Sequence, residues 1–150
     1  MKHQLYFEQF LNADIDTVWD FFSDARNLEK LTPPKMNMKV LSKLDRYQLF
    51  QGMEISYFVS PLFSIPVYWK TEIIKVDNKK EFIDIQSKGP FKLWKHTHQF
   101  IEKENGVLMI DSIVYELPFG KIGDIVNKPF VLKNLNELFE YRQSVCNNLF

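Results

Sequence analysis

The 150-residue sequence lacks the features of secreted, membrane-spanning and general nucleic-acid-binding proteins. Its single cysteine, Cys146, cannot form an internal disulfide, which favours a reducing, cytoplasmic compartment. No apolar run approaches the roughly 20 residues that span a bilayer, and the residues after Met1 do not form a signal-peptide core. The 19 basic side chains match the 19 acidic ones. A nucleic-acid binder would carry a basic surplus, so we expect neither nucleic-acid binding nor stable membrane insertion.

Glycine and proline are also scarce, with 5 and 7 residues. A long flexible linker is therefore not expected, and the absence of repeats predicts one domain over residues 1–150. Hydrophobic residues make up 45% of the chain, enough for a substantial core. Aromatic residues reach 15%, which exceeds the usual demand of such a core and favours an adaptable apolar cavity.

Periodicity predicts an α+β domain. Alternation over residues 5–11 predicts a first strand. Asn12 or Asp14 can then cap a short helix, and a second short helix over 25–31 must end before Pro33.

Beyond residue 35, alternating segments separated by turn signals predict six further strands over residues 36–44, 49–59, 67–76, 82–87, 92–103 and 107–117. After residue 120 the period becomes helical, and Pro129 should begin the regular helix or kink it. Sequential hairpins imply an antiparallel sheet, and the apolar stripe of the last helix must cover one sheet face. The stripe comprises Ile125, Leu132, Leu135, Leu138, Phe139, Val145 and Leu149.

The Asn105-Gly106 pair is the strongest hairpin signal in the chain. If these two residues form the loop, Glu104 pairs with Val107, and His98 lies opposite Ile113 and diagonal to Asp111. The face turned toward the helix then carries Trp94, His96, His98, Phe100, Asp111, Ile113, Tyr115 and Leu117. Buried polar groups must find partners. Titratable groups on an aromatic face therefore predict a hydrogen-bonded network, a water-filled cavity or a polar ligand.

Several segments resemble the SRPBCC (START/Bet v 1-like) superfamily, and more narrowly its bacterial cell-division-inhibitor-like or ligand-binding branch. They are GPFKLWKHTHQF at 89–100, DSIVY at 111–115 and LPFG at 117–120. The resemblance implies a helix-grip fold, in which a curved seven-stranded antiparallel sheet with two short helices after strand 1 grips a long C-terminal helix around a cavity. Most relatives bind apolar or amphipathic small molecules and some are cyclases or dehydratases. Because most members of this branch have no assigned activity, the resemblance implies no reaction and no cofactor.

Candidate ligand-binding residues share the predicted inward face or the proline-bounded segment 59–66, which is either a lid or a plain strand corner. They are Met53, Tyr57, Leu62, Phe63, Trp69, Trp94, His96, His98, Phe100, Asp111, Ile113, Tyr115, Phe130, Leu135 and Phe139. Arg142 is predicted to be a surface or salt-bridging residue.

His96 and His98 could also act as metal ligands, because alternate strand residues share a face. Only Asp111 supports them, which falls short of the ligand count of zinc sites, so no metal is predicted. The same three residues are the catalytic candidates, with one imidazole as general base. A role in polarising the cavity is favoured over catalysis.

The favoured function is binding of a hydrophobic or amphipathic small molecule, such as a lipid, quinone or polyketide-like compound. One alternative is a cyclase, dehydratase or isomerase that uses His96 or His98. Another is a protein-interaction module in which the segment 61–66 docks a partner or a second copy in a weak homodimer.

Overall fold

The computed structural model describes residues 1–60 and 65–150 of the chain. Its described strands form one seven-stranded antiparallel sheet in the order β1-β7-β6-β5-β4-β3-β2. This sheet and a long C-terminal helix confirm the predicted α+β helix-grip architecture. The strands are β1 (Lys2–Leu11), β2 (Lys39–Val40), β3 (Glu54–Val59), β4 (Val67–Asp77), β5 (Glu81–Lys88), β6 (Leu93–Lys103) and β7 (Gly106–Glu116).

The segment after β1 begins with a helix, α1 (Ile15–Phe22), whose N-cap is Asp14. The Asp14 carboxylate accepts a 2.7 Å hydrogen bond from the backbone N–H of Thr17, which satisfies one free donor of the first turn. The predicted second helix over 25–31 is instead two 3₁₀ turns, Ala25–Asn27 and Glu29–Leu31. Such turns suit a connector this short.

The first two strands predicted after these turns are shorter in the structure. The segment 36–44 forms a regular strand only over Lys39–Val40, and a 3₁₀ turn occupies Pro34–Met36 at its start. The strand predicted from residue 49 begins at Glu54. A turn precedes it, in which the Met53 N–H donates to the Phe50 carbonyl and Gly52 has φ +95°, a conformation that favours glycine.

The C-terminal helical region has three parts: α2 (Gly120–Val126), a π-helical segment (Asn127–Leu132) and α3 (Lys133–Leu149). Pro129 lies in the π-helical segment, and the regular helix begins after it. Proline has no N–H for the helical ladder, so a widened turn here has a physical cause. The predicted apolar stripe is not buried at its two ends, where Ile125 is 74% exposed and Leu149 is 51% exposed.

The β6–β7 register differs from the prediction by two residues. Lys103 pairs with Gly106, so Glu104 and Asn105 form the loop. Asn105 does not adopt the positive φ that a type I′ Asn-Gly turn requires. A Cβ on Gly106 would lie 2.3 Å from the Leu11 carbonyl oxygen, so glycine is needed where β7 meets β1. Because side chains alternate with a period of two, this shift keeps the predicted faces.

The core lies between the concave sheet face, α1 and α3. Trp19 of α1 is 2% exposed and packs edge-on against Phe100 of β6. Phe139 of α3 stacks on Phe7 of β1, with ring centroids 4.4 Å apart. These contacts hold α1 and α3 against the sheet and leave a space between the two helices.

In the part of the chain that the structure describes, no helix combines the length and apolar character needed to cross a membrane.

Candidate functional site

A cavity of about 520 Å³ lies between the concave face of the sheet, the short 3₁₀ turns and the C-terminal helical region. Its walls are mainly apolar. Aromatic and aliphatic side chains of β3, β4 and β6 form one wall, and α2 and α3 form the opposite wall. Six of the predicted ligand-binding residues line it: Tyr57, Trp69, Trp94, His96, His98 and Leu135.

The remaining predicted residues do not line this cavity in the described part of the chain. Six are buried behind its wall: Met53, Phe100, Asp111, Ile113, Tyr115 and Phe139. Phe130 is 42% exposed, because it lies in the π-helical segment where the helical periodicity of the sequence changes. Leu62 and Phe63 lie outside the described residues, so their predicted role in ligand binding stays a prediction.

Tyr115 has a partner that the sequence did not indicate. Its hydroxyl donates a 2.7 Å hydrogen bond to Oδ1 of Asn127, a buried residue of the π-helical segment. This bond joins the sheet to the π-helical segment, and the predicted contact of Tyr115 with a ligand stays a prediction. On the cavity wall, Thr71 Oγ1 lies 3.3 Å from the Tyr57 hydroxyl and accepts from Trp69 Nε1 at 3.1 Å.

Three polar side chains of the cavity wall, Asp84, His96 and His98, form a group with Asp111 behind them, called here the His–Asp cluster. His96 and His98 point to the same sheet face because they alternate along β6. Asp84 of β5 is the register partner of His96, and Asp111 of β7 is the register partner of His98. The antiparallel pairing of three neighbouring strands therefore brings the cluster together.

Contacts within the His–Asp cluster are close. His96 Nε2 donates to Asp111 Oδ1 at 2.6 Å, and His98 Nε2 lies 2.7 Å from Asp84 Oδ2. The two imidazole rings stack with centroids 3.6 Å apart. Both histidines are only 4% exposed and Asp111 is 5% exposed. Of the four side chains, Asp111 alone does not reach the cavity.

The two histidines have opposite pKa shifts. Burial, helped by the charge of His98, lowers the pKa of His96 to about 4. Burial also disfavours protonation of His98, but its contacts with Asp111 and Asp84 outweigh that effect and raise its pKa. For both carboxyl groups, burial is likewise outweighed by the neighbouring histidines, and their pKa values are lowered. His96 is therefore neutral near pH 7, and both carboxylates are ionised.

Among the wall residues that the sequence prediction did not include are two charged ones that act on the His–Asp cluster, Asp84 and Arg142. Asp84 was overlooked because that prediction used only the last hairpin, although Asp84 alternates with Phe82 and so shares its face. Arg142, predicted at the surface or in a salt bridge, is half-buried and lines the cavity. Its guanidinium carbon lies 5.3 Å from the centroid of the Phe139 ring, and its charge helps lower the pKa of Asp84. In the described part of the chain it forms no ion pair within 4 Å.

The cavity reaches the surface at α2. Phe119, Ile122 and Val126 line it and are nevertheless 82%, 70% and 39% exposed. Phe119 has φ +67°, in the left-handed region that a phenylalanine rarely adopts. These apolar side chains form the described edge of the cavity opening. In contrast, Cys146 is fully buried, and burial raises its thiol pKa to about 11, so it is a core residue and not a reactive thiol.

No protein-family model matches this sequence, and no curated protein matches it. Solved structures do show similarity. A START superfamily protein from Mycobacterium smegmatis has a TM-score of 0.72 and 12% identity, and the match covers 99% of both chains. Ginseng major latex-like protein 151 from Panax ginseng has a TM-score of 0.66 and 16% identity, covering 96% of this chain and 97% of that one.

A similar structure also forms part of a longer protein. A nucleoside-diphosphate sugar epimerase from Corynebacterium glutamicum matches 95% of this chain over 28% of its own length, with a TM-score of 0.67 and 21% identity. Together these similarities show a START/Bet v 1-like helix-grip fold. That fold is consistent with ligand binding in general.

Proposed function

We propose that this protein, whose fold is the START/Bet v 1-like helix grip, binds an amphipathic small molecule inside the cavity. The observation that carries the proposal is the composition of the cavity wall. An apolar enclosure of about 520 Å³ contains a buried polar cluster on one side. This volume falls within the range of about 300–1,000 Å³ typical of small-molecule sites, which are apolar with a few polar groups that orient the ligand.

The cavity wall has an apolar region and a polar region, and each would contact a different part of the ligand. The apolar body would lie against Tyr57, Trp69, Trp94 and Leu135, where burial of its surface drives binding at about 25 cal/mol per Å² before association costs. The polar end would face His96 and His98, with Arg142 nearby. A lipid, quinone or polyketide-like molecule satisfies both requirements.

The exposed edge at α2 supplies an entry route. Phe119, Ile122 and Val126 are exposed apolar side chains that continue into the cavity wall. An apolar ligand would stay in contact with apolar surface as it enters. This feature supports uptake from solution or from a carrier without unfolding of α3.

A cavity-filling substitution tests the proposal. Leu135→Trp places a larger ring in the cavity, whereas Leu149→Trp adds the same ring to the exposed end of the same helix. Binding of the fluorescent fatty acid cis-parinaric acid should weaken at least tenfold in Leu135→Trp and stay unchanged in Leu149→Trp. Equal binding by wild type and a folded Leu135→Trp protein would contradict the proposal.

Acid–base catalysis is a second candidate, and one observation favours it. His96 is neutral near pH 7, donates through Nε2 to Asp111 and turns its other nitrogen away from that carboxylate. A carboxylate thus orients the ring as in a general base, although a pKa of about 4 makes His96 a weak base. If the cavity converts the molecule it binds, the double variant His96→Gln/His98→Gln should lose turnover and retain binding. Unchanged turnover would remove this candidate.

The protein-interaction alternative has less support. It depends on the segment 61–66, of which residues 61–64 lie outside the described part of the chain. A weak homodimer therefore remains a prediction from the sequence.

A further inference from the structure

We propose that Asp84, His96 and His98 bind one divalent transition-metal ion, such as Zn²⁺, Co²⁺ or Fe²⁺. Each of these residues offers one ligand atom, and the three atoms lie within 4.8 Å of one another. Two imidazoles and one carboxylate form a ligand set that such metals use. This inference replaces the prediction of no metal, which counted ligands on a single hairpin and so missed Asp84 on β5.

The hydrogen bonding of His96 leaves one nitrogen ready to ligate. Because Asp111 is a carboxylate, His96 Nε2 must be the donor of their 2.6 Å hydrogen bond. Nδ1 of the neutral ring then keeps its lone pair and lies 3.9 Å from Asp84 Oδ2. Two electron-rich atoms thus face each other with no proton between them, and a cation placed there would satisfy both.

The spacing of the donor atoms is close to what a metal requires. Zinc bonds of about 2.0–2.1 Å in a tetrahedral site place neighbouring donors about 3.3 Å apart. The separations from Asp84 Oδ2 are 3.9 Å to His96 Nδ1 and 2.7 Å to His98 Nε2, on either side of that value. Shifts of about 0.6 Å would bring these two separations to that value, and the two ring nitrogens lie within 4.8 Å of each other.

Asp111 provides the outer support that metal-binding histidines usually have. Its Oδ1 lies 2.6 Å from His96 Nε2 and 3.3 Å from His98 Nδ1. The buried His98 Nδ1 has no hydrogen-bond partner among the described residues. Because Asp84 is also a carboxylate, His98 Nε2 donates their 2.7 Å hydrogen bond, and a metal on Nε2 would displace that proton and leave the ring proton on Nδ1, next to Asp111. Carboxylates behind ligating imidazoles orient the rings and raise their basicity.

The proposed site opens onto the cavity. Asp84, His96 and His98 line the cavity wall, whereas Asp111 does not. Three protein ligands therefore leave coordination positions free on the cavity side, as in catalytic zinc sites. Arg142 of α3 also lines this cavity. When His98 is protonated, its charge and that of Arg142 offset both carboxylates, so a metal ion would have to displace the His98 proton.

Metal titration of the untagged, chelator-treated chain tests this inference. We expect one Co²⁺ per chain, with visible absorption of a four- or five-coordinate ion that Zn²⁺ displaces. The chain has three histidines, so ¹⁵N-histidine NMR resolves the site directly. Zn²⁺ should shift the ring resonances of His96 and His98 and leave those of His3 unchanged, because His3 pairs with Asp124 elsewhere.

Variants supply the controls. Asp84→Asn should weaken Co²⁺ binding at least tenfold, and Asp111→Asn should weaken it about 10–100-fold as an outer ligand. His3→Gln should bind as the wild type does. The inference is overturned if millimolar Zn²⁺ leaves the His96 and His98 resonances unchanged, or if a folded Asp84→Asn protein binds Co²⁺ as tightly as the wild type. If Asp84→Asn does not fold, the wild-type NMR experiment decides. Metal binding is measured without an organic ligand, so its failure would leave the proposed function untouched.

Discussion

A matched pair of substitutions tests whether the space beside α3 is hollow. Leu135 of α3 lines the cavity, and Ile113 of β7 is 1% exposed in solid core. Truncation to alanine removes a similar apolar volume at both positions. The free energy of unfolding depends on the transfer cost of the removed atoms and on the new void, at about 24 cal/mol per Å³ of residual cavity.

The two sites should differ in the free-energy cost of the void that truncation leaves. At Leu135 the removed atoms enlarge an existing cavity, so we expect Leu135→Ala to cost about 2 kcal/mol, at the low end for such truncations. At Ile113 a new enclosed void forms, so Ile113→Ala should cost about 4 kcal/mol. Urea unfolding of ligand-free protein, with equal m-values as the control, measures both. A cost at Leu135 equal to or greater than that at Ile113 would refute the hollow interior.

Three further substitutions test other parts of the structure. Phe119→Gly should leave the free energy of unfolding unchanged or raise it by about 1 kcal/mol, since glycine relieves a left-handed residue, and a clear loss would contradict this. Asn127→Ala should cost about 1–3 kcal/mol by leaving the Tyr115 hydroxyl unpaired, whereas the exposed control Asn147→Ala should cost little. The pKa of His96 is about 4 in the folded chain and about 6.5 in the unfolded chain, so the unfolded chain takes up this proton first as the pH falls. Stability of metal-free wild type should therefore fall about 1.5 kcal/mol more than that of His96→Gln between pH 6.5 and 5, and equal falls would count against the burial of His96.

Most of the fold could be predicted because the signals are local and redundant. The helical stripe around Leu135 and Phe139 and the alternation along β6 each predict the element that the structure contains. The two-residue error in the β6–β7 register arose because Asn105-Gly106 is typical of a type I′ turn, whereas here Gly106 is required by the close approach of Leu11. A shift by two residues leaves each side chain on the same face of the sheet, so His96 and His98 point inward as predicted.

The candidate site was harder to predict because it depends on pairing between strands distant in the sequence. Asp84 lies beside the histidines because of the β5–β6 register. The connection between these strands contains no two-residue hairpin turn that would determine this register from the sequence. Arg142 follows the wall residue Leu138 by four residues on α3, so helical periodicity places it on the cavity wall, but its charge set it apart from the apolar stripe that was used for the prediction. Asn127 could not be matched with Tyr115 without knowledge of the π-helical segment.

Native mass spectrometry of the untagged, freshly purified protein tests the binding proposal most directly. We predict an adduct of one amphipathic molecule per chain that is released on denaturation and is depleted in Leu135→Trp relative to Leu149→Trp. A wild-type chain that appears only at its own mass, and that takes up no cis-parinaric acid, would contradict the account.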